Sequence, residues 1–586
     1  MKSLKKTKIM KVILACLVGF FAFITSCKKE EVVGPAPVVT LGASTSGLAG
    51  VSVTISANIS AENGIKSLQV LKNGVSFDTK TFNTGTLSDS YSKAYVIESL
   101  PSGTVVNFTF IATDYKDLTT LAGPLTVTVA SVPAKQVIDV TGTLEGNITW
   151  TADKIYKLKG FVRIGEDKTK DGTPTKSGVL TIQPGTVIIG ERATKGTLII
   201  QRGSKIIAEG TVDKPIVFTS ERNPGEREPG DWGGLVICGK AKNNLPGGTG
   251  ELEGQYGAFH GGTDDTDNSG SLKYVRIEYA GIPINPNQEV NSLTLGSVGS
   301  GTKIEYVMCS YGLDDSFEMF GGTVSAKYLI AYRGLDDDFD MDNGYIGNVQ
   351  FAIGLRGATQ ADQSGSNGFE VDNDGSGSAA TPITAPTLSN VSLIGPKATN
   401  ATSISPQFQN GMHLRRNTKI KVYNSFITAY PNGIFIDGTN TAANAAAGEL
   451  VLKNIVVAGV SSWGDNGFGN GTTVNPRGFA VRDINTATPA GDLKIGDAKP
   501  SAWFLTADFK NKILINNTNT GINENLFLAV PVLTITTGKS DGLEKDGSTA
   551  GLPSFFTTAD FIGAFGTTNW ASGWTEFNPA TKVYDK

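Results

Sequence analysis

Residues 314–344, DDSFEMFGGTVSAKYLIAYRGLDDDFDMDNG, contain an internal repeat. A shift of 22 residues superimposes two acids, a phenylalanine, a methionine and a glycine, namely Asp314, Asp315, Phe317, Met319 and Gly322 on Asp336, Asp337, Phe339, Met341 and Gly344. The apolar positions alternate in steps of two, which indicates a strand. Because a single short strand cannot bury its own apolar face, each repeat must stack on the next. The pattern therefore predicts a parallel β-helix.

The repeat continues along the chain and predicts two columns of outward-facing side chains. A four-residue motif recurs as FEMF (317–320), FDMD (339–342), FEVD (369–372), MHLR (412–415), IFID (434–437) and FAVR (479–482). We expect its first and third residues to fill the interior and its second and fourth residues to point outward. The first outward column is Glu318, Asp340, Glu370, His413, Phe435 and Ala480. The second outward column is Phe320, Asp342, Asp372, Arg415, Asp437 and Arg482.

The acidic half of these columns requires an explanation. Carboxylates in adjacent coils would lie about 4.8 Å apart and would repel each other by roughly 1 kcal/mol even in water. A Ca²⁺ ion would relieve this repulsion, since it takes hard oxygen ligands. The candidate ligands are Asp314, Asp315, Asp336, Asp337, Asp338, Asp340, Asp342, Glu370, Asp372 and Asp374.

Two other interpretations of the acidic residues stay open. Asp340 and Glu370 could act as acid and base in the cleavage of a glycosidic bond, with His413 and Arg415 beside them. Alternatively, the aspartates simply cap turns through backbone amides and stay solvated. In the second column, the alternating signs of Asp372, Arg415, Asp437 and Arg482 predict a structural ladder of salt bridges.

The first 26 residues have the pattern of an export signal. Five lysines precede a 13-residue apolar run at 12–24, which is too short to span a bilayer. The sequence ITSC at 24–27 resembles the lipobox of bacterial lipoproteins, which implies cleavage before Cys27, acylation of Cys27 and an outer-membrane anchor. The alternative is an ordinary secretory signal. The sequence KKEE at 28–31 resembles the signal that sends Bacteroidota lipoproteins to the cell surface, although a charged tether would look the same.

Composition narrows the class of protein. Removal of residues 1–26 changes the formal charge from −4 to −9, which argues against nucleic acid as a partner. The 71 glycines and the 18% of charged residues fit an exported all-β protein. Cys238 and Cys309 lie in apolar runs, so we expect buried thiols. The chain has only two histidines, His260 and His413, which disfavours a zinc site or a Ser-His-Asp triad; we expect His260 in a loop.

The predicted domain order is a tether at 27–37, an Ig-like β-sandwich at 38–131 and a β-helix with a C-terminal cap at 137–586. The first domain resembles the Ig-like modules of bacterial surface proteins; it would be a spacer or a glycan-binding module, and the lack of an aromatic platform favours the spacer. LTIQPGTVI (180–188) and its echo LIIQRGSKI (198–206) resemble the opening coils of right-handed parallel β-helices in pectate-lyase-like proteins. The same region, to the closing WASGW (570–574), resembles a family of Bacteroidota surface lipoproteins.

Four tryptophans bear on function. Trp232 and Trp463 stand in loop-like contexts and are candidates for stacking on sugar rings, whereas Trp570 and Trp574 are predicted to plug the last coil. We expect a surface lipoprotein whose β-helix binds a glycan or an outer-membrane protein partner without catalysis. The alternative is a polysaccharide lyase or glycoside hydrolase, although no motif of those lyases or of polygalacturonase-like hydrolases is visible.

Overall fold

The computed structural model describes residues 32–131, 134–399, 401–460, 478–483 and 493–584. Cys27, the predicted lipid attachment point, and Trp463 lie outside these residues. The chain forms two compact units, residues 1–133 and 134–586. In the described part of the chain, no helix combines the length and apolar character needed to cross a membrane.

The first unit is a β-sandwich of eight strands: β1 (Val38–Leu41), β2 (Thr45–Gly47), β3 (Ser52–Ser60), β4 (Ile65–Lys72), β5 (Val75–Thr81), β6 (Ser88–Val96), β7 (Val105–Asp114) and β8 (Thr119–Val129). One sheet has the order β1-β3-β6 and the other β2-β8-β7-β4-β5, and all pairs are antiparallel except β2 with β8. Alternate residues of both sheets, such as Ile55, Tyr91 and Phe108, share one core. This arrangement agrees with the predicted fold class.

The second unit contains 29 strands in its described residues. The first twelve are β9 (Gln136–Leu144), β10 (Gly146–Trp150), β11 (Lys154–Ile164), β12 (Gly178–Ile182), β13 (Val187–Gly190), β14 (Thr197–Ile200), β15 (Lys205–Glu209), β16 (Ile216–Ser220), β17 (Leu235–Cys238), β18 (Thr249–Glu251), β19 (Phe259–Gly261) and β20 (Gly270–Glu278). The next nine are β21 (Pro283–Asn285), β22 (Gln288–Glu289), β23 (Leu293–Val298), β24 (Lys303–Ser310), β25 (Phe317–Gly322), β26 (Ser325–Tyr332), β27 (Phe339–Asp342), β28 (Asn348–Leu355) and β29 (Phe369–Val371).

The last eight strands are β30 (Thr387–Ile394), β31 (Asn410–Leu414), β32 (Lys421–Tyr423), β33 (Phe426–Thr428), β34 (Asn432–Ile436), β35 (Val451–Lys453), β36 (Val456–Ala458) and β37 (Lys512–Leu514). Two short helices, α1 (Thr439–Ala446) and α2 (Pro500–Phe504), accompany them. The strand pairs β18–β19 and β21–β22 form small hairpins outside the main ladders.

The remaining strands build three parallel ladders, one strand per coil. The first ladder joins β10, β12, β15, the first halves of β20, β24, β26, β28 and β30, then β32 and β35. The second joins β9, the first half of β11, β13, β16, the second halves of the same five strands, β33, β36 and β37. The third joins the second half of β11 with β14, β17, β23, β25, β27, β29, β31 and β34. This topology confirms the predicted parallel β-helix, and its interior holds one long apolar core.

The corner between the first and second ladders is marked by residues in the left-handed conformation. Its members in seven successive coils are Tyr274, Tyr306, Tyr328, Phe351, Asn390, Asn424 and Asn454, with φ between 46° and 61°. The four aromatic rings stack with centroids 4.6, 4.3 and 5.1 Å apart, and this stacking offsets the cost of the unfavourable backbone. Asparagine tolerates the conformation, and Asn454 Nδ2 donates to Asn424 Oδ1 at 2.7 Å.

The outer surface of the second ladder is apolar and is covered by the C-terminal segment, residues 515–584. Met308, Ile330 and Ile353 point outward yet are buried against this segment. Trp574 is fully buried and packs on Tyr274, with the ring centroids 5.8 Å apart. The prediction that Trp570 and Trp574 plug the last coil is therefore wrong. They lie against the side of earlier coils, because the apolar face there needs a cover.

The last coil is closed by α2 instead. Trp503 and Phe504 of α2 join the interior core with Leu452 and Val457 of the last coil. A terminal coil of a stacked structure exposes its core unless such residues cover it.

Trp232 is also buried rather than exposed, so the prediction that it contacts sugar is wrong. Its ring stacks on Phe218 with an interplanar angle of 9°, and its Nε1 donates to the Glu278 carbonyl oxygen at 2.7 Å. Gly190 makes room for it, since a Cβ there would lie 2.3 Å from the Trp232 Cβ. Cys238 and Cys309 are buried free thiols, as predicted.

Candidate functional site

The third ladder carries the predicted columns. Phe317, Phe339 and Phe369 occupy one register position in successive coils, and their ring centroids lie 5.2 and 5.7 Å apart inside the core. Because side chains alternate along a strand, the residues that follow them face outward. Glu318 therefore pairs in register with Asp340, and Asp340 with Glu370. The first predicted column is correct from Glu318 to Phe435.

Seven carboxylates crowd together at the start of three of these strands. We call them the acidic centre, whose members are Asp314, Asp315, Glu318, Asp336, Asp337, Asp340 and Glu370. They form three linked groups in which one oxygen from each of three residues lies within 4.8 Å of the others. Asp340 belongs to two of the groups. Asp315 and Asp337 are only 7% and 4% exposed, so the charges are held away from water.

A further column of polar residues lies two positions before the first residue of each four-residue motif in the third ladder. We call it the turn ladder; its members are Asp315, Asp337, Asn367, Asn410 and Asn432. Asp315 Oδ1 accepts a hydrogen bond from the Asp337 backbone N–H at 2.8 Å. Asp337 Oδ1 accepts from the backbone N–H of Asn367, and Asn367 Oδ1 accepts from that of Asn410 at 3.1 Å. In these three steps a side-chain oxygen orients the backbone of the next coil, whereas Asn410 Oδ1 accepts from Asn432 Nδ2 at 3.4 Å.

The environment of the acidic centre opposes negative charge. Burial, followed by the charge of Asp314, raises the pKa of Asp315 well above its ordinary value. Burial and the charge of Asp336 do the same to the pKa of Asp337. Burial raises the pKa of Glu370 to about 7, even though Arg415 lowers it. Protonation or a bound cation would relieve the cost of holding these charges together in the centre.

Two buried oxygen atoms at the centre have no hydrogen-bond partner within the described ranges. They are Oδ1 of Asp340 and Oγ of Ser316. A buried polar atom without a partner costs free energy, so such atoms point to a missing ligand. All donors here are hard oxygens, which is the donor set that Ca²⁺ takes. The residues present could therefore hold a metal ion.

Four of the predicted metal ligands, Asp338, Asp342, Asp372 and Asp374, lie outside the acidic centre. Asp338 is fully buried, with its Oδ1 3.1 Å from Arg356 Nη1 and its Oδ2 accepting from the Tyr430 hydroxyl at 3.0 Å. Asp342 accepts hydrogen bonds from the backbone and side chain of Asn343.

Asp372, the third, forms ion pairs with Arg415 at 2.8 Å and Arg416 at 2.6 Å. Its outward column thus contains the predicted salt bridge between Asp372 and Arg415. Asp374, a further candidate, caps a turn by accepting from the Ser376 and Ser378 backbone N–H groups at 2.9 and 3.1 Å.

Residues 142–494 match the family model described as a pectate-lyase-like β-helix domain, which is more than half of the chain. The chain belongs to this family. No curated protein matches the chain. Among solved structures, the crystal structure of pectate lyase Pel3 from Pectobacterium carotovorum aligns over 82% of this chain and 100% of that chain, at 8% identity and a TM-score of 0.13. A TM-score this low supports no inference about the site.

In this pectate-lyase-like β-helix, the four residues of the catalytic alternative lie side by side. Glu370 and His413 are in register, with His413 Nδ1 3.7 Å from Glu370 Oε2. Arg415 donates to Glu370 as well as to Asp372. Burial alone would lower the pKa of Arg415, but these carboxylates outweigh it and raise the pKa above its ordinary value. Arg415 is therefore poorly suited to act as a base.

The end of the predicted columns needs a correction. Ile434 pairs with Val481, so the register of residues 479–482 is shifted by two relative to the prediction. The Arg482 guanidinium consequently lies 3.9 Å from the centroid of the Phe435 ring. Arg482 extends the first column rather than the second, and Ala480 does not follow Phe435.

His260 lies in strand β19 rather than in a loop, contrary to the prediction. It is 1% exposed, and its Nδ1 lies 2.9 Å from the Ser297 hydroxyl. Burial lowers its pKa to about 3, so the ring is neutral at physiological pH. His260 and Ser297 are both buried, where the β18–β19 hairpin meets the β-helix.

Proposed function

We propose that this protein is a calcium-dependent polysaccharide-binding protein, and that the acidic centre holds the ion. The turn ladder carries this proposal. Its hydrogen bonds need only an acceptor oxygen. Asn367 and Asn432 supply one without charge to a backbone N–H of the next coil, and Asn410 supplies one to the Asn432 side chain. Aspartate stands only at 315 and 337, next to Asp340. The two extra charges add nothing to the ladder, so they serve a cation.

A cation bound at the acidic centre would also explain how the outer surface of the third ladder holds a glycan. Ca²⁺ takes six to eight oxygen ligands, and a group such as Asp315, Glu318 and Asp340 offers one oxygen from each of three residues. Sugar hydroxyls or carboxylates would complete the coordination. The predicted acyl group on Cys27 and the tether at 27–37 would place this face at the outer membrane, exposed at the cell surface.

The test is a calcium titration of the full chain by calorimetry, with a double variant that keeps the turn ladder. Asp315→Asn with Asp337→Asn retains both acceptor oxygens but removes two charges. We expect the wild type to bind Ca²⁺ and the double variant to bind it at least about tenfold more weakly, the scale of losing an aligned metal partner. Asp374→Asn is the matched control, since Asp374 caps a turn outside the acidic centre, and it should bind like the wild type.

The same proteins are then applied to a glycan array in Ca²⁺ and in EDTA. Glycan binding that requires Ca²⁺ and is lost in the double variant supports the proposal. Equal calcium affinity of wild type and double variant would exclude the acidic centre as the site.

A glycoside hydrolase is the second candidate function. The observation in its favour is that oxygens of Asp340 and Glu370 lie within 4.8 Å, close to the carboxyl separation of about 5 Å in retaining enzymes. New reducing ends released from any polysaccharide bound on the array would favour this candidate over binding alone.

The acidic centre also predicts how stability depends on pH. In EDTA, we expect the double variant Asp315→Asn/Asp337→Asn to melt at the same temperature as the wild type near pH 4 and several degrees higher near pH 8. Both pKa values are raised in the folded chain, so the wild type loses stability as the pH rises through them. The histidines contribute equally to both proteins and cancel. Excess Ca²⁺ should reverse the order, which differential scanning calorimetry would detect; an unchanged order would contradict the prediction.

A further inference from the structure

We propose that a cleft between the first corner of the β-helix and the C-terminal segment binds an uncharged sugar ring without a metal ion. The cleft has a volume of about 480 Å³, within the usual range for small-ligand pockets. Tyr328 and Phe351 line it from the corner, and Phe561 and Trp570 line it from the C-terminal segment. Glu544 and Asp560 supply its carboxylates.

The aromatic lining supplies apolar surface of a defined shape. Phe351 stacks on Tyr328 with ring centroids 5.1 Å apart, and Phe561 lies 6.0 Å from Phe351 at 29°. Phe565 covers one face of Trp570 at 4.4 Å, and Tyr328 meets the Trp570 ring at 5.3 Å and 62°. The partly exposed ring of Phe561 therefore supplies the aromatic surface for a ligand. A sugar ring presents C–H groups on its faces, and these pack on aromatic side chains.

The polar lining selects for hydroxyl groups and against anions. Among the residues that the structure describes, no lysine, arginine or histidine lines the cleft. Glu544 Oε1 accepts from the Gly538 N–H at 2.9 Å, whereas its Oε2 has no hydrogen-bond partner in the described part of the chain. Burial alone would raise the pKa of Glu544, but backbone N–H groups and Lys545 lower it below its usual value. Carboxylates accept hydrogen bonds from sugar hydroxyls and repel acidic sugars.

This cleft is separate from the acidic centre. Tyr328 and Phe351 lie at the corner of the first and second ladders, whereas the acidic centre lies at the start of third-ladder strands. No residue belongs to both. The proposal therefore does not rest on the calcium-dependent function, and the two fail or succeed independently.

The test uses the full chain in EDTA, so that the acidic centre holds no divalent cation and cannot bind a sugar through one. The probes are five neutral hexasaccharides: maltohexaose, cellohexaose, mannohexaose, xylohexaose and laminarihexaose. Choline is the cationic control. Binding is measured by saturation-transfer NMR and calorimetry. We expect at least one hexasaccharide to bind, and to bind at least about tenfold more weakly to Phe561→Ala and to Asp560→Asn, the effect of losing about 1.4 kcal/mol of contact. Asp546→Asn, an exposed acid of the same segment outside the cleft, should bind like the wild type.

Asp560→Asn keeps the side-chain shape, and Asp560 is exposed, so a folding defect in Phe561→Ala does not decide the result. The Asp315→Asn/Asp337→Asn variant should bind the hexasaccharide normally. Failure of every hexasaccharide, binding of choline instead, or equal affinity of Asp560→Asn and wild type would overturn the proposal.

Discussion

Replacement of Arg356 with alanine is expected to lower the free energy of unfolding of the β-helix by about 3–5 kcal/mol. The Arg356 side chain is fully buried and donates to Asp338, to the Gly334 carbonyl at 3.2 Å and to the Asn367 carbonyl at 3.2 Å. Its removal leaves the fully buried Asp338 with the Tyr430 hydroxyl as its remaining hydrogen-bond donor. Urea unfolding followed by circular dichroism measures the loss.

A double variant separates the buried charge from the lost packing. Asp338→Asn added to Arg356→Ala removes the uncompensated carboxylate, so we expect it to recover part of the lost stability. Lys303→Ala, at an exposed position, should change the unfolding free energy by less than about 0.5 kcal/mol. A loss below about 1 kcal/mol in Arg356→Ala would show that the ion pair between Arg356 and Asp338 does not stabilise the β-helix as proposed.

Phe339→Ala is expected to cost about 3–5 kcal/mol, because it opens a cavity in the middle of the phenylalanine stack. Phe339 is fully buried and contacts the rings of Phe317 and Phe369. Ile346→Ala is the control, since Ile346 is 42% exposed and close by in sequence.

The same urea experiment measures both variants. The double variant with Phe317→Ala should lose less than the sum of the single losses, since the two rings are in contact. Additive losses would mean that the two rings do not form one stack.

The sequence was sufficient to predict the interior of the third ladder. The 22-residue shift aligned Phe317 with Phe339, and the four-residue motif added Phe369. A one-residue slip would have exposed the whole stack. The register failed at residues 479–482, because a shift of two residues leaves the same residues pointing inward, so alternation alone does not distinguish the two alignments.

Other features carried a signal that the motif analysis did not use. Members of the turn ladder all stand two residues before an inward residue, so Asp315, Asp337 and Asn367 could have been aligned from the sequence. Runs such as YVMCS, YLIAY and FAIGL lack polar alternation, which is typical of strands buried on both faces. They mark the covered surface of the second ladder.

Arg356 and Trp232 could not have been placed in this way. Their partners Asp338 and Glu278 lie in other coils, at separations of 18 and 46 residues. Only the folded structure brings these groups together, because neither Arg356 nor Trp232 belongs to the repeated four-residue motif.

The C-terminal segment connects coils that are far apart in the stack. The segment begins beside the last coil. Near its end, the Tyr584 hydroxyl donates to Glu278 Oε1 at 2.6 Å, and the Tyr584 side chain packs with Ile155 and Val187 of the opening coils. A solenoid whose coils touch only their neighbours can fray from either end. Here residues 515–584 contact both the last and the opening coils. The opening coils are synthesised first, and their apolar outer surface stays exposed until residues 515–584 have been synthesised. We therefore expect the second unit to fold as a whole rather than coil by coil.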